Sequence, residues 1–270
     1  MDQYRVFGNP IKHSRSPYIH QAFAEETQQQ LTYQSQLVAL DAFAATIKDF
    51  AQAGGKGGNV TVPFKEQALA LCDQVSKRAS LAGAVNTLSF RDGQILGDNT
   101  DGIGLVKDLL ANKVTLTNRR ILLIGAGGAA KGVVLPLLEQ NPAQLVIANR
   151  TLSKAQQICQ LVSDNRLSCC TFEHCNNYEF DVIINATSAS LDGHLPAIPE
   201  QVIARAEVCY DMVYAKQLTP FLHWAKESGA NKVIDGLGML VAQAAESFNI
   251  WRGVMPSTDE VLQRLRADLT

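Results

Sequence analysis

The stretch RILLIGAGGAAKG, residues 120–132, determines the fold predicted for the second half of this chain. Its run of apolar residues is typical of a central parallel strand that is buried on both faces. A G-x-G-x-x-A turn follows, in which glycine permits a tight bend and lets a pyrophosphate approach the N-terminus of the next helix. We interpret it as a dinucleotide-binding loop rather than a glycine-rich turn without a ligand. The predicted phosphate-binding residues are Gly125, Ala126, Gly127, Gly128 and Ala129.

The next predicted strand ends in VIANRT, residues 146–151, where an acidic residue commonly binds the ribose of NAD. This chain has Asn149 and Arg150 there, followed by Thr151 and by Lys154. An acid would repel a 2′-phosphate, whereas a guanidinium pairs with it through charge-assisted hydrogen bonds. The pattern therefore predicts NADP as the cofactor. The alternative is that Arg150 and Lys154 are solvated surface charges.

Strands and helices alternate on both sides of this stretch, which predicts mostly parallel sheets. The first part reads as βαβαβ, with a helix at 14–26 that Ser16 could cap, and then a hairpin turning at Asp92-Gly93. The last two helices follow the final strand and could return to the first domain. We therefore predict two open α/β domains with a cleft between them. Residues 1–101 and 238–270 form the first, and residues 102–237 form the Rossmann-like second.

The composition narrows the functional class. Of the 270 residues, 46% are hydrophobic, and the net charge is −2. This charge does not indicate binding to nucleic acid or to a membrane surface. Neither a spanning helix nor a signal peptide is recognisable, which predicts a cytoplasmic protein. Cys169, Cys170, His174 and Cys175 cluster, but without a second ligand pair we favour free thiols over a zinc site and expect no metal.

Nine motifs occur in an order that resembles the shikimate dehydrogenase family. They are SRSP (14–17), NVTVPFKE (59–66), AVNTL (84–88), DNTDG (98–102), GAGGAAKG (125–132), ANRT (148–151), INATS (184–188), YDMVY (210–214) and DGLGMLVAQAA (235–245). The resemblance covers essentially the whole chain. It implies a substrate domain, a Rossmann domain, and the reversible NADPH-dependent reduction of 3-dehydroshikimate to shikimate. We expect a monomer or homodimer.

The resemblance also implies roles for single residues. Lys65 and Asp101 match the catalytic pair, and Met212 and Gly236 match positions near the nicotinamide. Seven residues match the substrate ligands: Ser14, Ser16, Asn59, Thr61, Asn86, Tyr214 and Gln243. One departure is Ser190, where the family commonly has glycine.

Several of these residues also have a non-functional interpretation. Asn86 could be a turn residue, Gln243 could face solvent, Tyr214 could be a core residue and Asp101 could be a helix N-cap. Lys65 is more informative, because a cation is unfavourable at the positive N-terminus of a helix, which favours the neutral amine needed for proton transfer. Two other functions remain open: a quinate/shikimate dehydrogenase with relaxed cofactor use, and a non-catalytic NADPH sensor.

Overall fold

The computed structural model describes residues 1–269, and it describes Leu191 and Asp192 by their backbone alone. Twelve strands lie in the described part of the chain: β1 (Asp2–Gly8), β2 (Leu31–Leu37), β3 (Gly57–Val60), β4 (Gln74–Val75), β5 (Thr87–Arg91), β6 (Gln94–Asp98), β7 (Arg120–Ile124), β8 (Gln144–Ala148), β9 (Leu167–Cys170), β10 (Val182–Asn185), β11 (Val208–Asp211) and β12 (Lys232–Asp235).

Eleven α-helices are described: α1 (Ser16–Glu26), α2 (Phe43–Gln52), α3 (Lys65–Leu71), α4 (Lys77–Ala82), α5 (Asp101–Ala111), α6 (Gly128–Leu138), α7 (Leu152–Val162), α8 (Glu200–Ala204), α9 (Pro220–Glu227), α10 (Leu237–Arg252) and α11 (Asp259–Leu269). Short 3₁₀ helices occupy Glu173–Asn177 and Ala189–Asp192. None of the helices within residues 1–269 is both long and apolar enough to cross a membrane.

The chain divides into two compact units. Unit 1 comprises Met1–Gly104 and Val241–Leu265, and unit 2 comprises Leu105–Leu240 and the residues from Arg266 onward. Each unit contains one six-stranded sheet with helices packed on it. The prediction of two α/β units is confirmed.

The sheet of unit 2 is entirely parallel, with strand order β12-β11-β10-β7-β8-β9. Side chains of β7 alternate between its faces: Ile121 and Leu123 join one buried cluster, and Leu122 and Ile124 join the other. Both faces are covered, which explains why this strand is a continuous apolar run. The carboxyl ends of β7, β8, β10 and β11 therefore lie along one edge, where parallel sheets bind ligands.

The sheet of unit 1 is mixed, with order β2-β1-β3-β5-β6-β4. Strands β1, β2 and β3 are parallel, whereas β5 runs antiparallel to both β3 and β6. The hairpin between β5 and β6 turns through Asp92 and Gly93, both at positive φ, as the Asp-Gly signal predicted. This antiparallel pairing places the C-terminal end of β3 next to the N-terminal end of β5. Residues at these two ends form much of the predicted substrate site.

Several local features differ from the sequence prediction. Helices α4 and α8 and strand β9 were not predicted, because all three are short and β9 lies at the sheet edge. The proposed cap at Ser16 is wrong: Arg15 is the N-cap residue of α1, and no side chain caps this helix.

Candidate active site

Lys65 and Asp101 form an ion pair within unit 1. The Nζ atom of Lys65 lies 2.5 Å from Oδ2 of Asp101, and the two side chains are 31% and 18% exposed. Lys65 is the first residue of α3, as predicted, so its ammonium lies at the positive end of that helix. The pair is partly buried yet accessible, as a group that exchanges a proton with a substrate must be.

Asn86 holds the other oxygen of this carboxylate. Its Nδ2 donates to Oδ1 of Asp101 at 2.7 Å, and its Oδ1 accepts the backbone N–H of Thr100 at 2.9 Å. The same Nδ2 lies 3.4 Å from Oε1 of Gln243, a half-buried residue of α10. Asn86 is 2% exposed, so it is a buried network residue and not an ordinary turn residue.

Three of the other predicted ligands from the N-terminal half lie in or next to loops that follow strands. Ser14 and Ser16 lie at the start of α1, where the backbone N–H of Ser16 donates to Oγ of Ser14 at 3.3 Å. Thr61 directly follows β3, and its backbone N–H donates to the carbonyl of Phe7. All three side chains are half-buried, so their hydroxyls are available to a polar ligand.

Asn59 has different surroundings from those expected of a substrate ligand. It is 6% exposed, and both polar atoms of its amide bond to other protein groups. Oδ1 accepts from Tyr33 Oη at 2.7 Å and lies 3.1 Å from Nε2 of His20. Nδ2 donates to the carbonyl of Asn86 at 3.1 Å and to Oγ of Ser247 at 3.0 Å.

The glycine-rich loop of unit 2 has the geometry that a pyrophosphate requires. Gly125 adopts a φ of +109°, and a Cβ there would lie 3.1 Å from the side chain of Thr187, so glycine is needed for both backbone and space. A Cβ at Gly127 or Gly128 would meet nothing within 4 Å, which leaves room in front of α6. Helix α6 begins at Gly128 without a side-chain cap, so its first N–H groups remain open to an anion. These residues fit the phosphates of a dinucleotide.

Arg150 lines a cavity of about 820 Å³ within unit 2. The walls of this cavity come from the segments that follow β8, β9 and β10 and from the loop before α8: Asn149, Arg150, Thr171, Phe172, Glu173, His174, Thr187, Ser188, Ala189, His194, Leu195, Pro196 and Ala197. Asn149 is half-buried, and its Nδ2 donates to the carbonyl of Thr151 at 2.8 Å. The side chains of Arg150, Thr151 and Lys154 are exposed, so both cations are accessible to a phosphate group.

Met212 and Gly236 are neighbours at the ends of β11 and β12. A Cβ at Gly236 would lie 2.3 Å from the carbonyl oxygen of Met212, so only glycine allows this close approach of the two loops. Tyr214 follows β11 by three residues and is half-buried. All three therefore lie at the ligand-binding edge of the parallel sheet.

Ser190, the departure from the family pattern, is a hydrogen-bond donor to a buried carboxylate. Its hydroxyl donates to Oδ2 of Asp211 at 2.7 Å, and Thr219 donates to the same oxygen at 2.6 Å. Asp211 is fully buried at the end of β11, and burial raises the pKa of its carboxyl despite these hydrogen bonds. Serine at this position thus helps to keep Asp211 ionised.

We expect Ser190→Ala to lower the free energy of unfolding by roughly 1–3 kcal/mol, the cost of removing a hydrogen-bond partner from a buried acceptor. The loss should shrink as the pH falls and Asp211 takes up a proton, because the serine bond favours the ionised form. Urea unfolding at neutral and acidic pH measures both effects. A loss that does not vary with pH would contradict this assignment.

Several residues that complete the site were not predicted from the sequence. Four such side chains form hydrogen bonds directly with the amide of Asn59: His20, Tyr33, Thr87 and Ser247. The nearest signal in the sequence was the polar pair Asn86-Thr87, which interrupts the apolar residues of AVNTL (84–88). Among the side chains that the structure describes, no three from His, Cys, Asp or Glu lie close enough to hold a metal ion, and the six cysteines are free thiols.

Comparison with known proteins identifies the family along most of the chain. Residues 6–88 match the model of the shikimate dehydrogenase substrate binding domain, and residues 108–204 match that of shikimate / quinate 5-dehydrogenase. Residues 236–266 match the shikimate 5′-dehydrogenase C-terminal domain. The three matches follow the order of the elements described above.

Whole-chain relatives agree with these matches. The chain is 62% identical over 268 residues to a shikimate dehydrogenase (NADP(+)) of Colwellia psychrerythraea, covering 99% of this chain and 98% of the relative. Among solved structures, an Ael1 enzyme from Pseudomonas putida has a TM-score of 0.96 at 47% identity, covering 98% of each chain. Shikimate 5-dehydrogenase of Thermus thermophilus in complex with NADP(H) and shikimate has a TM-score of 0.87 at 31% identity, with full coverage of both chains. The chain belongs to the shikimate dehydrogenase family.

Proposed function

We propose that this protein catalyses the reversible NADPH-dependent reduction of 3-dehydroshikimate to shikimate, a step of aromatic amino acid biosynthesis. The observation that carries the proposal is the accessible Lys65–Asp101 ion pair, braced by Asn86, in a chain of this family. A protein that only senses NADPH has no use for a proton-transfer pair, so the enzyme is the better interpretation.

The proposed substrate is a small polyhydroxy acid, and the polar side chains of unit 1 suit it. The hydroxyls of Ser14 and Ser16 are proposed to bind its carboxylate. Thr61, Asn86 and Gln243 are proposed to bind its hydroxyls, and Tyr214 is proposed as a further contact. Sites built to pair hydroxyl groups discriminate strongly against analogues that lack them, because the protein groups are then left unpaired.

NADPH, when bound, supplies the hydride that reduces the ketone. Lys65 is proposed to donate a proton from Nζ to the ketone oxygen as it becomes the alcohol, and to remove that proton in the reverse direction. Asp101 keeps Nζ in place through the 2.5 Å contact. Asn86 in turn fixes the carboxylate through its own hydrogen bond. The chain thus provides general acid–base catalysis by a positioned side chain.

The cofactor is proposed to bind along the carboxyl edge of the parallel sheet in unit 2. Gly125, Ala126, Gly127, Gly128 and Ala129 would hold the pyrophosphate at the start of α6. The adenosine end would lie against Asn149. Its 2′-phosphate would be bound by Arg150, Thr151 and Lys154. Met212 and Gly236 would contact the nicotinamide.

The decisive experiment measures the reduction of NADP by the purified protein with shikimate and with quinate, and repeats both with NAD. We expect shikimate and NADP to give by far the highest kcat/KM. Comparable rates with quinate would favour the quinate/shikimate dehydrogenase alternative. Absence of turnover with either acid, despite NADPH binding, would favour a sensor.

We expect Arg150→Ala to erode the preference for NADP over NAD by roughly 1.5–3 kcal/mol, the value of a hydrogen bond to a charged group. Activity with NAD should hardly change, because NAD lacks the 2′-phosphate. Arg205→Ala, which removes another exposed arginine from unit 2, is the matched control and should leave the preference intact. Equal losses with both cofactors would show that Arg150 has a structural role.

The proposal extends to a cytoplasmic enzyme that acts as a monomer or homodimer. Cell fractionation and size-exclusion chromatography with light scattering test these two points directly.

A further inference from the structure

Behind Asn86 lies a group of buried polar side chains that the proposed reaction does not use directly. Asn59, Thr87 and Ser247, here termed the buried triad, are 6%, 1% and 0% exposed. They come from β3, β5 and α10, and their polar atoms meet one another: Ser247 Oγ lies 2.8 Å from Thr87 Oγ1 and 3.0 Å from Asn59 Nδ2. Buried hydroxyls and amides are costly unless paired, so this cluster requires an explanation.

The direction of the hydrogen bonds can be assigned from groups that act only as donors or acceptors. The backbone N–H of Thr100 can only donate, so the atom of Asn86 that it meets at 2.9 Å must be the carbonyl oxygen Oδ1. Thr87 donates its hydroxyl proton to that same oxygen at 2.7 Å. With Oδ1 held by these donors, the Asn86 nitrogen must face Asp101.

The rest of the triad sustains this orientation. Because the Thr87 proton is used on Asn86, Thr87 Oγ1 is left to accept from the groups behind it: it lies 3.3 Å from Asn59 Nδ2 and 2.8 Å from Ser247 Oγ, whose single proton is shared between Thr87 and the carbonyl of Gln243 at 3.1 Å. The carbonyl of Asn86 can only accept, so the Asn59 atom that it meets at 3.1 Å is Nδ2, and Oδ1 of Asn59 faces the hydroxyl of Tyr33 and Nε2 of His20 as an acceptor. Burial lowers the pKa of His20 to about 3, so the ring is neutral and carries its proton on Nε2.

We propose that the buried triad is a positioning unit for catalysis. Acting through the amide of Asn86, it presents the amide nitrogen to Asp101 and thereby fixes the carboxylate that holds Lys65. Asn59 then orients other residues from behind Asn86 and does not bind the substrate itself. This inference rests on the proposed function, since it assigns the support for that reaction's proton-transfer pair.

The test compares two substitutions at Thr87, which touches Asn86 from behind. Thr87→Val keeps the side-chain shape but removes the hydroxyl, whereas Thr87→Ser keeps the hydroxyl. We expect Thr87→Val to lower kcat for shikimate oxidation by about 10–100-fold, in line with the effect of small misplacements of catalytic groups. Its pH profile of kcat should shift, while the KM for NADP stays constant. Thr87→Ser should restore both the rate and the profile.

Two further variants show whether the loss of kcat comes from the triad or from removing any buried hydroxyl of unit 1. Ser89→Ala removes a buried hydroxyl from the same strand, and none of the triad's hydrogen bonds involves it, so kcat should remain at the wild-type value. Ser247→Ala tests the triad at a second residue if Thr87→Val folds poorly. We expect it to lower kcat with the same shift in the pH profile.

Asn59→Asp distinguishes positioning from substrate binding. It removes the Nδ2 donor, so we expect the kcat loss of Thr87→Val with little change in the Kd of shikimate. A Kd raised tenfold or more with an unchanged pH profile would make Asn59 a substrate ligand and overturn the proposal. Wild-type kcat in both Thr87→Val and Ser247→Ala would also overturn it. Lack of shikimate oxidation by the wild-type protein would refute the proposed function itself.

Discussion

Lys65→Ala is expected to lower kcat for shikimate oxidation by on the order of 10²–10⁴-fold, the usual contribution of a general acid–base group. The variant loses the Nζ atom that lies 2.5 Å from Asp101, and no other amine is described in contact with that carboxylate. The affinity for NADP should barely change, because the glycine-rich loop belongs to unit 2. Steady-state kinetics and fluorescence titration with NADPH measure the two quantities.

Lys48→Ala is the matched control, since Lys48 is an exposed lysine of α2 in the same unit. It should keep the wild-type kcat. Asp101→Asn should lose activity while still folding, because the amide can no longer hold an ammonium through its charge. If Lys65→Ala keeps a near-normal kcat and only raises KM, Lys65 is a binding residue and another group supplies the proton.

The second large effect is expected on acid stability, and its source is His20. This histidine is 1% exposed, stacked on Tyr33 with ring centroids 4.2 Å apart, and burial lowers its pKa from 6.5 to about 3. Between these two values the unfolded chain binds a proton that the folded chain does not, so the free energy of unfolding falls as the pH falls. Above about pH 6.5 His20 is neutral in both the folded and the unfolded chain, so the free energy of unfolding no longer changes with pH through this residue.

Acidification from pH 7.5 to 5 is therefore expected to cost roughly 2 kcal/mol through His20 alone, at about 1.4 kcal/mol per pH unit below its unfolded pKa. Urea unfolding at the two pH values gives the wild-type difference. His20→Gln should be less stable at pH 7.5, yet lose less on acidification. His223→Gln, at an exposed histidine on α9, should behave like the wild type. An undiminished pH dependence in His20→Gln would disprove the assignment.

The parts of the fold that were predictable have strong local causes. The strand β7, the Gly125 turn and helix α6 were predicted because burial on both faces, positive φ and close approach each restrict the residue types allowed. Strand β9 was missed because its sequence, LSCC, lies at the sheet edge, and its cysteines raised the question of a metal site instead. The capping role predicted for Ser16 failed because α1 begins at Ser16 itself, so Arg15 occupies the N-cap position and Ser16 lies in the first turn.

The site was predictable only in part, for a related reason. Lys65, Asp101 and the glycine loop lie in contiguous motifs, so their chemistry can be inferred from neighbours in sequence. The hydrogen bond between Asn59 and Ser247 joins residues 188 positions apart, and no local pattern indicates it. His20 likewise gives no sign in the sequence that it will be buried beside an amide. Positioning residues of this kind depend on tertiary packing.

Unit 1 consists of two separated pieces of chain, and this affects how the protein is made. The ribosome synthesises residues 105–240 after the first piece and before the second, which takes on the order of ten seconds at ordinary elongation rates. During this interval the N-terminal sheet lacks α10, including Ser247 and the indole of Trp251 that bonds to the carbonyl of Leu88. At the end of this interval unit 2 has all of its strands, whereas unit 1 still waits for α10 and is therefore the part left open to chaperones and proteases.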